Sequence, residues 1–186
     1  DLQSFDLGAV KSCRENPRHV ESSPHTSYNL HAHGCLANML DCAVLGATEI
    51  DLDFNVNVNT HSDGMLLHGI GGHTDAASGS GCRIITAPSF RKRMPIIREQ
   101  VTTVTCPGEA VDVVVTERGI AINPRRADLL ERLKGSKLPI TTLKKLMDDV
   151  HSLTGIPDQP KFGERPVALI EWRDGTIIDV VREVLD

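Results

Sequence analysis

Residues 111–116 read Val-Asp-Val-Val-Val-Thr, and this run of β-branched side chains points to the fold class. A short run that is apolar almost throughout is typical of a strand buried on both faces, as in a parallel sheet. Residues 82–87 form a second apolar run between a glycine and a proline, and they predict another strand. Residues 49–58 alternate between polar and apolar side chains, which predicts one half-buried strand or two strands with a kink. Residues 101–105 are a further strand candidate.

Helical patterns separate these strands. Asn123 followed by Pro124 predicts a helix that begins with an N-cap and a first-turn proline and ends at Gly135. Apolar residues spaced at i, i+3 and i+4 predict a second helix over residues 143–153. Strands that alternate with helices favour an α/β domain.

The last part of the chain predicts a β-hairpin. Residues 167–172 and 176–184 are the two strands, and Asp174-Gly175 between them fits a tight primed turn. No internal repeat and no Ser- or Gly-rich linker divides the chain. We therefore predict a single α/β domain over residues 1–186, with a mixed, mainly parallel sheet flanked by helices and a C-terminal β-hairpin.

Composition excludes several classes of protein. Hydrophobic residues make up 40% and charged residues 24% of the 186 residues, which excludes a disordered, collagen-like or coiled-coil chain. Aromatic residues make up only 3%, so the core must consist of Val, Ile, Leu and Ala. No run of 18 apolar residues and no signal peptide occurs, so the sequence predicts no membrane partner and favours a cytoplasmic location.

Charge and cysteine content narrow the partners further. Twenty basic and twenty-five acidic side chains give a net charge of -5, whereas nucleic-acid-binding domains usually carry a basic stripe. The basic cluster at residues 91–93 is short, so we expect no nucleic acid partner. Five cysteines without a CxxC pair favour reduced thiols over a disulfide framework.

The most unusual segment is residues 69–75, Gly-Ile-Gly-Gly-His-Thr-Asp. Three glycines in four residues allow positive φ and a close approach of a ligand to the main chain. Exposed N–H groups in such a turn can bind a phosphate or stabilise an oxyanion. A plain tight turn between strands is the alternative. Thr74 stands where a dinucleotide fingerprint needs glycine, and no Gly-Lys-Ser/Thr follows as in a P-loop.

A metal site is a further hypothesis for residues 61–75. Five competent ligands fall within fifteen residues: His61, Asp63, His68, His73 and Asp75. Their spacing matches neither HExxH nor a Cys/His finger, so solvated loop side chains are favoured and no bound metal is expected.

Acidic side chains alternate along the strand predicted before this segment. Glu49, Asp51 and Asp53 would share one face of that strand. A carboxyl buried near the glycine turn would have a raised pKa and could do acid–base work. A solvated edge face is the alternative interpretation.

Longer motifs resemble one known family, the α subunit of citrate lyase. The similarity covers essentially the whole chain. The motifs that carry it are residues 46–51, 54–58, 62–64, 69–75, 107–109, 112–117, 119–126 and 173–181. This family belongs to the coenzyme A transferases, whose α/β domains come in pairs. The resemblance therefore implies a coenzyme A transferase-like fold, with this chain as the C-terminal half of a longer two-domain subunit.

The resemblance also implies a reaction and its partners. Acetyl on an acyl-carrier thioester is exchanged for citrate, which gives a citryl thioester and free acetate. A β subunit then cleaves the citryl group. The implied partners are citrate, the acetyl and citryl thioesters, and the β and acyl-carrier subunits of citrate lyase. The thioester belongs to a CoA-like phosphopantetheine group that the acyl-carrier subunit carries.

Candidate site residues follow from the resemblance. Backbone N–H groups of Gly71 and Gly72 could stabilise the oxyanion that forms when a citrate carboxylate attacks the thioester. Asn55 stands where distant transferases have glutamine and could donate a hydrogen bond. Glu49 receives a supporting role and is not named the nucleophile, because the glutamate that forms an enzyme thioester in many transferases would precede residue 1. The candidates for substrate binding are Gly69, Ile70, His73, Asp75 and Arg125.

Several alternatives stay open at this point. Arg125 and Arg126 could meet a carrier phosphate or citrate carboxylates, or they could pair with Glu131 or Asp128 on the helix surface. The chain could instead be a CoA transferase for another carboxylic acid, such as acetate or butyrate, or a non-catalytic scaffold domain. We also expect this chain alone to be folded but inactive, because half of a two-domain site would lie outside it.

Overall fold

Within residues 7–31 and 34–185, which the computed structural model describes, short strands alternate with helices and turns. The α-helices are α1 (Leu7–Glu15), α2 (Pro24–Tyr28), α3 (His73–Gly79), α4 (Ala127–Arg132) and α5 (Leu143–Thr154). The first strands are β1 (Cys42–Gly46), β2 (Glu49–Asp51), β3 (Val56–Asn57), β4 (Cys82–Thr86), β5 (Phe90–Arg91) and β6 (Met94–Pro95). The later strands are β7 (Ile97–Arg98), β8 (Val113–Thr116), β9 (Gly119–Ile122), β10 (Ile140–Thr141), β11 (Lys161–Glu171) and β12 (Ile177–Leu185). Two 3₁₀ turns lie at Leu36–Met39 and Gly108–Ala110.

A five-stranded sheet in the order β1-β4-β8-β9-β10 forms the centre of the fold. The β1–β4, β4–β8 and β9–β10 pairs are parallel, and the β8–β9 pair is antiparallel. The helix α3 packs against β1, while α5 packs against β6 and β7. The predicted α/β class, with a mixed and mainly parallel sheet, is therefore confirmed.

The two apolar runs do form strands, β4 and β8, as predicted. The strand β8 alternates between half-buried and buried side chains, with Val114 fully buried, so it is not buried on both faces throughout. Residues 101–105 do not form a strand, so that prediction is wrong. Their backbone groups are used by side chains instead: Glu49 accepts the N–H of Thr102, and Asp179 accepts the N–H of Val104.

The predicted strand over residues 49–58 is a tight hairpin. The strand β2 pairs antiparallel with β3 and parallel with β7. The alternative of two strands therefore matches the structure, and the single half-buried strand is wrong. All three residues of β2 are buried, so Glu49 and Asp51 do not lie on a solvated face. Their carboxylates contact Arg98 of β7 and Asn55 of the turn instead.

The helix predicted from Leu143 onward is confirmed as α5. Its N-cap Thr142 accepts the N–H of Lys145. The apolar stripe is buried from Leu143 to Val150, while Leu153 at its end is exposed. The predicted N-cap at Asn123 is wrong, because α4 begins only at Ala127. The Asn123 side chain instead donates to the carbonyl oxygens of Gly108 and Val111.

The C-terminal hairpin is confirmed and longer than predicted. Its strands β11 and β12 pair antiparallel. The Trp172 N–H donates to the carbonyl oxygen of Thr176 at 2.7 Å, which closes the hairpin around the three residues between them. The connection is therefore a three-residue loop and not the predicted two-residue primed turn. Gly175 sits in this loop with φ +91°, a conformation that favours glycine.

The buried apolar side chains form one core cluster between the sheets and α5. It includes Ile50, Ile85, Ile97, Val114 and Leu146, which matches the expected aliphatic core. None of the helices in the described ranges combines the length and the apolar character that a membrane span requires.

Candidate functional site

The glycine segment makes a turn at the start of α3. Gly71 has φ +59°, and Gly72 follows with φ −85° and ψ 12° as the residue that precedes the first helical turn. When one residue has a positive φ and its neighbour has a negative φ, their N–H groups point into one concavity. This backbone arrangement binds anions. Within the described part of the chain, neither amide donates to a protein acceptor. Both donors are therefore available to a ligand.

The two glycines are required for different reasons. A Cβ atom at Gly71 would meet nothing within 4 Å, so only the positive φ excludes other residues there. A Cβ atom at Gly72 would lie 2.5 Å from the Tyr28 ring, so the close approach of that ring excludes them. Gly69 is also exposed with open space around it, while Ile70 packs against the core.

His73 and Asp75 lie in the first turn of α3 and anchor the glycine turn. The His73 Nε2 atom lies 2.9 Å from the carbonyl oxygen of Gly46 at the end of β1, so Nε2–H donates to it. Burial lowers the pKa of His73, which keeps the ring neutral. Burial raises the pKa of Asp75, and the nearby Arg173 guanidinium opposes that rise.

Glu49 is fully buried and ion-paired. One carboxylate oxygen accepts from Arg98 at 2.7 Å, and the other accepts from Asn57 at 2.8 Å and from the Thr102 N–H at 2.7 Å. Burial alone would raise the pKa of Glu49, but these hydrogen bonds and the Arg98 charge outweigh it and hold the pKa below its usual value. Of the three alternating acids, the buried Glu49 therefore does not have the raised pKa that was expected of a buried carboxyl, whereas burial does raise the pKa of Asp51.

Asn55 completes the turn between β2 and β3. Its side-chain oxygen accepts the N–H of Gly108 at 2.9 Å, and its side-chain nitrogen donates to Asp51 at 3.1 Å. Asp51 also accepts the N–H groups of Asp53 and Asn55, which holds Phe54 at φ +67°. The amide group of Asn55 keeps one further N–H to donate.

A cleft of about 450 Å³ lies beside this turn. Asn55, Gly108, Asn123 and Arg125 line it together with neighbouring loop residues. Arg125 is mostly exposed and lies 3.9 Å from a carboxylate oxygen of Glu109. The ion pair predicted with Asp128 on the helix surface is formed by Arg126, which also contacts Asp112. The Asp112 contact has no counterpart in the sequence expectations.

The candidate residues therefore fall into three places. Gly69 to Asp75 form the glycine turn, Asn55 and Arg125 line the cleft, and Glu49 lies in the buried network with Arg98. The glycine turn does not line the cleft. Sequence reasoning missed Arg98 and Arg173, although Arg173 begins one of the family-like motifs. In the described residues, no three potential ligand side chains come together as a metal site.

Comparisons with known proteins agree over the whole chain. The family model Citrate lyase, alpha subunit (CitF) matches residues 1–184. The citrate lyase alpha chain of Haemophilus influenzae is 43% identical over 186 residues, which are 100% of this chain and 37% of that protein. The citrate lyase alpha chain of Klebsiella pneumoniae is 45% identical over 184 residues, which are 99% of this chain and 36% of that protein.

One solved structure is close to this fold. It is a Streptococcus mutans protein described as an alpha subunit of citrate lyase and solved in complex with citrate. It matches with a TM-score of 0.89 and 43% sequence identity, over 96% of this chain and 35% of that one. The present chain spans just over a third of the length of the curated relatives that it matches.

Proposed function

The chain belongs to the citrate lyase α-subunit family, and on that premise we propose that its glycine turn lies at the site where acetyl is exchanged for citrate on an acyl-carrier thioester. A citrate carboxylate oxygen attacks the thioester carbonyl carbon, and the carbonyl oxygen becomes an oxyanion. Collapse of this intermediate releases the carrier thiolate and leaves a mixed anhydride. The thiolate then attacks the citryl carbonyl carbon, which releases acetate and forms the citryl thioester.

The observation that carries this proposal is the pair of unpartnered amides at Gly71 and Gly72. Both steps of the exchange develop negative charge on a carbonyl oxygen, and backbone N–H groups fixed in a turn stabilise such charge without reorganising. One donor of this kind typically contributes about 100- to 1000-fold in rate. The open space around Gly69 and Gly71 supports the approach of a thioester arm.

The other candidate residues receive supporting roles in this proposal. His73 fixes the turn against β1 through Gly46 and stays neutral, so it brings no charge of its own. Glu49 holds the segment around β2 in place through Arg98, consistent with a supporting role and not with that of a nucleophile. Asn55 supplies its remaining N–H to a ligand in the cleft, where Arg125 meets a phosphate or a carboxylate.

The proposed partners follow from the reaction. The thioester arrives on the phosphopantetheine arm of an acyl-carrier subunit, and a β subunit cleaves the citryl product, all in the cytoplasm. The chemistry needs no resident metal, because backbone amides supply the electrophilic assistance. Since the relatives are much longer than this chain, the proposed site includes residues outside it, and the chain alone is expected to be inactive.

Ligand binding to the complete α subunit that contains this chain tests the proposal. Isothermal calorimetry with citrate, acetate, butyrate and S-acetyl-phosphopantetheine is the measurement. The proposal expects citrate and the thioester to bind and the short acids to bind far more weakly. A preference for acetate or butyrate would favour a transferase for another acid. A cooperative melt without binding of any ligand would favour a scaffold domain and contradict the proposal.

A further inference from the structure

The tip of the C-terminal hairpin reaches the glycine turn through Arg173. Its Nε atom lies 3.4 Å from a carboxylate oxygen of Asp75, in the first turn of α3. Its Nη2 atom donates to the carbonyl oxygen of Tyr28 at 3.5 Å. The neighbouring Trp172 packs against the core cluster, so the hairpin tip is anchored and the Arg173 side chain is only 13% exposed.

The guanidinium group of Arg173 makes few hydrogen bonds for a charged group that is largely buried. Arginine has five N–H donors, yet among the described residues Arg173 makes one long hydrogen bond, from Nη2 to Tyr28, and one ion pair, from Nε to Asp75 at 3.4 Å. The Nε–H group is buried and faces the Asp75 carboxylate without hydrogen-bond geometry. The remaining N–H groups of the guanidinium are therefore available to a further acceptor, such as a ligand.

The position of Arg173 indicates which ligand. The Tyr28 ring that Arg173 adjoins packs over Gly72, and Asp75 follows Gly72 by one helical turn. Arg173 therefore lies at the same corner of the molecule as the two free amides. A planar guanidinium matches the two oxygens of a carboxylate, which makes arginine the usual residue for carboxylate recognition.

We propose that Arg173 binds a carboxylate of citrate that does not react, while the reacting carboxylate lies at the Gly71–Gly72 amides. This inference rests on the proposed function. Asp75 pairs with the guanidinium at 3.4 Å, and the citrate carboxylate competes with Asp75 for it. An acid with a single carboxylate cannot use both places, so Arg173 confers selectivity for polycarboxylic acids over acetate or butyrate.

Three variants of this chain, made in the complete α subunit, test this assignment by citrate calorimetry. Arg173→Gln removes the charge and is expected to raise the Kd for citrate by about 10- to 100-fold, the usual effect of losing a charge-assisted hydrogen bond. Arg173→Lys keeps the charge without the planar guanidinium and is expected to give a Kd between those of the wild type and Arg173→Gln. Asp75→Asn removes the internal competitor and is expected to lower the Kd. A merely structural ion pair would not produce opposite effects from its two partners.

A matched control lies on the same hairpin. Arg165 pairs with Glu183 at 2.8 Å on the exposed surface, so Arg165→Gln removes the same charge and is expected to leave the Kd unchanged. Melting curves for every variant report the fold. If Arg173→Gln does not fold, Asp75→Asn decides alone: tighter binding supports the assignment, and unchanged or weaker binding overturns it.

The outcomes separate this inference from the proposed function. Citrate binding by the wild-type subunit with an unchanged Kd in Arg173→Gln would overturn the role of Arg173 and leave the proposed function standing. No citrate binding by the wild-type subunit would contradict both. Equal losses of stability in the Arg173 and Asp75 variants, with no opposite effects on the Kd, would show an ion pair that only fastens the hairpin.

Discussion

Gly71→Val is the substitution that separates the proposed site from a structural turn. Gly71 has φ +59° and open space around its Cα, so the added side chain meets no neighbour and acts only through the backbone. A β-branched residue resists this conformation and pulls the turn toward negative φ. The N–H groups of Gly71 and Gly72 would then no longer point into one concavity.

Gly71→Val is expected to cost little stability and much activity. Backbone strain at positive φ costs about 1–3 kcal/mol, which is small against the roughly 5–15 kcal/mol of a typical domain. Misaligning one oxyanion donor costs about 100- to 1000-fold in rate. Gly71→Val should therefore reduce exchange by at least that factor and leave a cooperative melt. Asparagine tolerates the left-handed region, so Gly71→Asn should keep much of the activity.

The assay is citrate-dependent release of acetate from the acetyl thioester in the complete citrate lyase complex. Gly135→Val is the matched control, because Gly135 also has positive φ, +74°, and no atom within 4 Å of an added Cβ. It should lose similar stability and no activity. Unchanged exchange in a well-folded Gly71→Val variant, or equal losses of activity in the two valine variants, would refute the reasoning.

The remaining predictions address the cleft, the buried network, acid stability and the isolated chain. Asn55→Ala should lower exchange more than it lowers the melting temperature; a loss of several kcal/mol with normal exchange would identify a purely structural amide. Arg98→Met leaves Glu49 buried without its partner and should cost about 3–5 kcal/mol in urea unfolding, and Glu49→Gln in the same chain should recover part of that loss. Because the pKa of Glu49 is lowered on folding, its contribution to stability is present above its unfolded pKa and is lost as the pH falls through the folded pKa. Melts between pH 7 and pH 3 should therefore show a smaller acid loss in Glu49→Gln, and an identical acid loss would contradict the pKa direction. The chain alone should melt cooperatively yet release no acetate, whereas turnover at the rate of the complete subunit would show that these residues contain the whole site.

Local patterns in the sequence predict most of the regular structure correctly. The runs that form β4 and β8, the stripe of α5 and the C-terminal hairpin are each specified by side chains close together in sequence. The errors occur where side chains compete with that local signal. Asn123 has the residue types of a helix start, but its amide bonds to Gly108 and Val111, so α4 begins three residues later than the predicted first turn.

The candidate site also has features that the local sequence indicates and features that only the packed chain produces. The composition of residues 69–75 by itself indicates a turn, because glycine density and φ preference are local properties. Only the structure shows that the amides of Gly71 and Gly72 have no acceptor among the described residues. Contacts between residues far apart in the sequence leave no such local pattern. Glu49 and Arg98 are 49 residues apart and meet because β2 pairs with β7, which converts an expected solvated or catalytic acid into a buried ion pair. Arg173 reaches Asp75 because the long hairpin packs its tip on α3. Such pairings depend on which surfaces bury the most apolar area together, and that is a property of the whole packed chain.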